Sequence, residues 1–208
     1  MKFNMTDNVV TRALSRICDF IVLNILWVVC SIPLFTIGAS TTAMYSVMLK
    51  IVRNEEGYIA RGFLHAFKEN FKQSTAEWLI IAVLGIILSV DWSVTRSLDG
   101  TIKLVFQVIF GFFSFWLISV FLYVFPLTAR YENTIKATLK NALLLSIAKL
   151  PYTVLMLVIS VAPVVVSLLT VQTMLLAIPI WLGIGVSLVT WLNAYVLMRV
   201  FKIFDTEE

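Results

Sequence analysis

Phe20 to Leu49 reads FIVLNILWVVCSIPLFTIGASTTAMYSVML, thirty residues without a charged side chain, broken midway by Ser31-Ile32-Pro33 and again at Gly38. As a single helix it would be about 45 Å long against a bilayer hydrocarbon core of about 30 Å, with Pro33 in its interior. Two spans joined by a tight turn satisfy both constraints. The first is predicted over 13–32 and the second over 37–52, with Pro33 and Gly38 at the turn.

The rest of the chain has the same character. Of 208 residues 60% are hydrophobic and only 13% charged, and the mean hydropathy is +0.95. These values lie outside the soluble range and make the chain an integral membrane protein. Four further apolar runs, 75–93, 101–127, 151–170 and 174–198, are each long enough to span. The reading is therefore all-α: one integral membrane domain over 1–208, a polytopic bundle of six transmembrane helices arranged as three hairpins.

The net charge of +4 does not point to nucleic acid, because the basic residues punctuate the apolar segments and form no dense run. With six spans and an inner N-terminus, Lys2, Arg12 and Arg16, Lys50 to Lys72, Arg130 to Lys149, and Arg199 and Lys202 fall on one side. That is fourteen of the sixteen Lys and Arg, with Arg96 and Lys103 opposite. Merging the first two spans leaves seven against nine. The positive-inside rule thus favours six spans with both termini cytoplasmic. Lys2, Arg12 and Arg16 before an apolar run also resemble a signal peptide, but that run leads directly into another, so a retained first helix is expected.

Two cytoplasmic stretches read as short amphipathic helices on the membrane surface. In one, Ile59, Phe63, Phe67 and Phe71 recur every four residues, with Arg61, His65, Lys68 and Lys72 on other faces. In the other, Ile135, Leu139 and Leu143 recur beside Glu132, Lys136 and Lys140. Each precedes a pair of spans, and a 72-residue shift aligns Lys68 with Lys140, Gly111 with Gly183 and Tyr123 with Tyr195. A tandem repeat of 58–130 and 131–202 is one explanation.

Candidate sites are few. Cys18 and Cys30 lie about 18 Å apart on one helix and cannot bridge within it. With His65 as the single histidine, no metal cluster or cofactor is implied. Asp19 lies inside the first span, one turn from Arg16, and an interfacial ion pair is the simple reading. Asn24, Gln107 and Asn193 are the amides within spans; helix-to-helix hydrogen bonding is their usual role, ligand contact the sharper alternative.

Pro163 and Pro179 fall at similar depth in the last two spans, above Gly183, Gly185 and Ser187. Kinks with small residues can open a substrate cavity, whereas Gly183 and Ser187 as a small-xxx-small pair imply close packing. The basic residues Arg61, Lys68, Lys72, Lys136 and Lys140, with His65, are candidate contacts for anionic lipid or a partner protein. No hydrolase triad, paired intramembrane carboxylates, HExxH or phosphate loop is present. With a deep layer of amides and hydroxyls alone, the reading is not an enzyme and argues against a proton-coupled pump.

Trp27 to Tyr45, WVVCSIPLFTIGASTTAMY, and Phe63 to Ser74, with its F-x-x-A-F-K-E-N-F-K-Q-S pattern, resemble the YesL family of bacterial integral membrane proteins. The similarity runs over nearly the whole chain. The resemblance implies a multi-pass protein of the bacterial cytoplasmic membrane, of unknown activity and often encoded near carbohydrate ABC transporters and their two-component regulators. It brings no catalytic residues. Two functions are expected from it together with the composition: a non-enzymatic accessory or scaffold protein of carbohydrate uptake, contacting an ABC-transporter permease or a sensor kinase, or a small solute transporter or channel.

Overall fold

The computed structural model describes residues 9–55, 57–97 and 99–204. Lys2 and the side chain of Arg12, both counted in the charge argument, lie outside them. Every regular element among the described residues is helical: α1 (Val9–Cys30), a 3-10 turn (Leu34–Thr36), α2 (Ile37–Val52), α3 (Ile59–Thr95), α4 (Gly100–Arg130), α5 (Ile135–Ala148), α6 (Leu150–Leu168), α7 (Val171–Ile180), a π-helical segment (Trp181–Gly185) and α8 (Val186–Phe204).

The break between α1 and α2 falls at the expected proline. Pro33 adopts an extended conformation, φ −75° and ψ 112°. The Thr36 hydroxyl lies 2.6 Å from both Cys30 O and Pro33 O, covering carbonyls that the broken helix exposes. Gly38 is not part of the turn. It sits in the first turn of α2, where a Cβ would lie 2.6 Å from Trp78 Cβ and closer still to Ser74 O. Its missing side chain lets the backbones of α2 and α3 touch. Ser74 Oγ donates to Thr42 Oγ1 at 2.8 Å, and Trp78 Nε1 donates to Leu34 O at 2.8 Å, so the turn is bound to the middle of α3.

α2 is the central helix, packed against α3, α4 and α8. Ala39, Ala43, Met44 and Met48 are completely buried. The other long helices have the reverse character. In α3, Val83, Ile86, Ile87 and Val90 are more than half exposed, as are Leu104, Val108 and Phe112 in α4. An apolar exterior around a tighter, partly polar interior is the pattern of a protein solvated by lipid. Among the described residues, five helical stretches are long and apolar enough to cross a membrane: Leu34–Val52, Ile59–Thr95, Gly100–Arg130, Leu150–Leu168 and Val171–Lys202. α1 is 22 residues long but carries Arg16 and Asp19 in its first half.

Two expectations need correction. The stretch expected as a separate surface helix from Ile59 is the first part of α3, one uninterrupted helix of 37 residues. Between Phe71 and Thr75 there is a change of composition but no Pro or Gly, and composition alone does not break backbone hydrogen bonding. Phe63 and Ala66 are buried, while Arg61, His65, Lys68 and Lys72 are exposed. α5 is a separate helix: Thr134 caps its start by accepting from Ala137 N at 3.4 Å, and Pro151 follows its end. Its inward face is Thr138, Ala142, Leu145 and Ser146, whereas Leu143, on the expected apolar stripe, is 41% exposed. The first unit of the 72-residue parallel therefore runs as one helix where the second breaks.

Candidate functional site

Among the described residues, three polar clusters inside the bundle centre on a buried amide or carboxyl: Asn24, Asn193 and Glu77. At the first, Asn24 of α1 is completely buried. Its Nδ2 donates to Trp181 O at 2.9 Å and Leu182 O at 2.7 Å, and its Oδ1 accepts from Ser187 N at 3.0 Å. The origin of this clamp lies in the partner helix. Pro179 has no amide proton, and two residues later the helix widens into the π segment Trp181–Gly185, which displaces backbone groups from their usual i to i−4 partners. Asn24 supplies two donors and one acceptor to them.

At the second place, Asn193 of α8, 1% exposed, donates through Nδ2 to Ser160 Oγ of α6 at 2.8 Å. Its Oδ1 has no hydrogen-bond partner, although the Tyr45 side chain lies close by. Both residues line a cavity of about 210 Å³ walled by Trp27, Phe125 and Trp181, with Thr41 and Thr190 as further polar groups. No charged side chain lines it. It offers aromatic faces, hydroxyls and one unsatisfied acceptor, a chemistry suited to small neutral molecules or water.

The third place was missed by the sequence reading, which assigned only amides and hydroxyls to the deep layer. Glu77 of α3 is 0% exposed. Gln73 Nε2 donates to its Oε1 at 3.0 Å, and Thr128 Oγ1 of α4 lies 2.8 Å from its Oε2. Thr138 of α5 completes the group, 3.4 Å from Gln73 Nε2. The signal was available: a carboxyl three residues into the predicted span 75–93, with an amide one turn before it.

The remaining candidates are dispersed. Pro163 and Pro179 are exposed on the outer surface of α6 and α7, and Gln107 is half-buried on α4 apart from these clusters. Gly183 has nothing within 4 Å of where a Cβ would stand, so the close contact expected through Gly183 and Ser187 is not made there. At Gly185 a Cβ would meet Trp181 Cε3 at 2.9 Å, a neighbour in its own π turn. Between described residues Arg53 and Glu55 form an ion pair at 3.2 Å, and His65 Nδ1 lies 3.4 Å from Glu69 Oε2; Arg16 and Asp19 do not pair. Both are half-exposed, where a pair one turn apart is worth only about 0.2–0.5 kcal/mol. Arg61 and His65 line a hollow of about 360 Å³ with Lys50 and Tyr58, and Lys136 and Lys140 are exposed on α5.

Comparison with known proteins adds a partial family match. Residues 20–92, from α1 through most of α3, match a family described as protein of unknown function, DUF624. The YesL-like resemblance holds over 71% of the chain, short of the nearly whole length expected. Uncharacterized protein YteU of Bacillus subtilis (strain 168) is 28% identical over 155 residues, covering 71% of this chain and 69% of its own length. Uncharacterized protein YesL of the same strain is 25% identical over 156 residues, covering 71% and 73%. No solved structure matches. The DUF624 stretch contains Asn24, Gly38 and Glu77, while the π segment and Asn193 lie beyond it.

Proposed function

We propose that this DUF624-like protein is a non-enzymatic accessory or scaffold protein of the bacterial cytoplasmic membrane, serving carbohydrate uptake by contact with an ABC-transporter permease or a sensor kinase. The observation that carries the reading is the use made of Asn24: all three of its hydrogen bonds go to the backbone of the π segment and α8, so the deepest amide of α1 fastens helices together and faces no conduit. Exposed Arg61, Lys68, Lys72, Lys136 and Lys140 supply a basic surface for a partner or for anionic headgroups. The link to carbohydrate uptake rests on the family resemblance alone. In this reading α1 crosses the bilayer as a sixth span and both termini are cytoplasmic, which cysteine labelling from either side of sealed vesicles tests. Affinity purification of the full chain from native membranes recovers a permease or kinase; repeated recovery of the protein by itself refutes the proposal.

A small-solute transporter or channel is the second reading, favoured by the unpartnered Asn193 Oδ1 at the 210 Å³ cavity. It requires solute flux in reconstituted vesicles that Ser160→Leu abolishes. Absence of flux across a panel of sugars, oligosaccharides and ions removes it.

A further inference from the structure

Glu77 stands in the most demanding environment of any carboxyl among the described residues. It is completely enclosed at the junction of α3, α4 and α5, and the groups that reach it, Gln73, Thr128 and Thr138, are neutral. An ionised carboxylate here would be a buried charge without a counter-charge, which proteins avoid by pairing or by neutralisation.

The charged groups of the neighbouring elements are engaged or exposed elsewhere. On α4, Arg130 lies over the rings of Tyr131 and Phe201, at 5.3 and 4.9 Å, and Lys103 donates to Arg96 O at the far end. On α5, Lys136 and Lys140 are exposed, as are Lys68 and Lys72 on α3 itself. On α2, Lys50 is exposed at the last turn, and the buried Tyr45 belongs to the Asn193 cluster. Arg16 and Asp19 of α1 are half-exposed; Tyr123 of α4 bonds to Thr153.

Counting protons points the same way. Thr128 Oγ1 lies 2.8 Å from Glu77 Oε2 and 3.1 Å from Val124 O. A threonine hydroxyl has one proton and accepts readily, so it cannot donate to both. Both contacts are satisfied when Glu77 donates to Thr128 and Thr128 donates to the Val124 carbonyl. Gln73 Nε2 has two protons, enough for Glu77 Oε1 and Thr138 Oγ1.

We propose that Glu77 is a proton-binding site, a carboxylic acid that keeps its proton at neutral pH and joins α3, α4 and α5 through it. The proton is lost only with exposure of the site, so unfolding at neutral pH releases it. The native state binds more protons than the unfolded one, and stability therefore falls as pH rises. For one group the unfolding constant grows by at most about tenfold per pH unit.

The test uses the full chain in detergent or lipid. The infrared difference between wild type and Glu77→Gln at pH 7 is expected to contain the C=O stretch of a protonated carboxyl, shifted in deuterium oxide. Glu77→Gln, close in shape to the neutral acid, is expected to fold and to lose that part of the pH dependence of thermal unfolding. Should it fail to fold, Thr128→Val serves instead: the band persists but moves, because its hydrogen-bond partner is gone. A carboxylate band in place of the acid band overturns the proposal. So does stabilisation of the wild type, and not of Glu77→Gln, by sodium chloride over choline chloride, which would mean a metal cation neutralises the site.

Discussion

Replacing Gly38 and Gly183 by alanine, one at a time, separates two kinds of glycine that look alike in sequence. At Gly38 the new methyl would stand 2.6 Å from Trp78 Cβ and 3.1 Å from Phe125 Cε1, with the Ser74 carbonyl closer than either. Carbon atoms rest at about 3.5–4.0 Å, so α2 and α3 must separate by roughly 1 Å. One obstacle is main chain, which no rotamer change relieves. Overpacking of this kind costs about 1–3 kcal/mol, partly offset by the helix propensity that alanine gains over glycine, up to about 1 kcal/mol. Separation also strains the Ser74–Thr42 and Trp78–Leu34 hydrogen bonds, so a net loss of about 2 kcal/mol is expected. At Gly183 nothing lies within 4 Å, and the propensity gain of about 0.5–1 kcal/mol stands alone. Thermal unfolding in detergent should place Gly38→Ala roughly 5 °C below wild type and Gly183→Ala level with or slightly above it. Equal stability of Gly38→Ala and wild type, or equal damage at both sites, refutes the reasoning.

Asn24→Leu removes two donors and one acceptor from the π segment and is expected to cost about 2–3 kcal/mol, given roughly 0.6–1.7 kcal/mol for each interhelical hydrogen bond in a membrane; an unfolding curve matching wild type would contradict the clamp. Asn24→Asp should be worse, since it sets a carboxylate oxygen against the Trp181 and Leu182 carbonyls, and its recovery at acidic pH checks that cause. Tyr123 hydroxyl and Thr153 Oγ1 are 3.0 Å apart, so Tyr123→Phe should cost about 0.5–1.5 kcal/mol. Combined with Thr153→Val it should cost less than the sum of the two single changes, and strict additivity in a double-mutant cycle would exclude the bond.

Two breaks are legible in the sequence from a proline, although Pro126, Pro163 and Pro179 lie inside helices. Pro33 ends the α1 region, and Pro151 follows the end of α5, each for want of an amide proton. Composition is a poorer guide: Phe71 to Thr75 changes from amphipathic to apolar, yet α3 runs straight through. Gly38 looked like a turn glycine because Pro33 is near, and only the approach of Ser74, thirty-six positions away, reveals its purpose. The clamp was half legible. Asn24 stood out as a deep amide, but its partners are about 160 residues distant, and no local pattern announces the π segment beyond Pro179 and two glycines. Glu77 needed no structure to be noticed; a carboxyl inside a predicted span is conspicuous by its cost.

The length of α3 has a mechanical consequence. Thirty-seven residues make a rod of about 55 Å, roughly 25 Å more than a hydrocarbon core is thick. Its stretch from Phe63 to Ile81 is braced on its neighbours, and Gly38 bears on it at Ser74 and Trp78. Such a rod behaves as a lever with its fulcrum at that contact. A load applied near Ile59 acts about 22 Å from Ser74 along the axis, and the α1–α2 turn sits at the fulcrum itself, through Gly38 and Leu34.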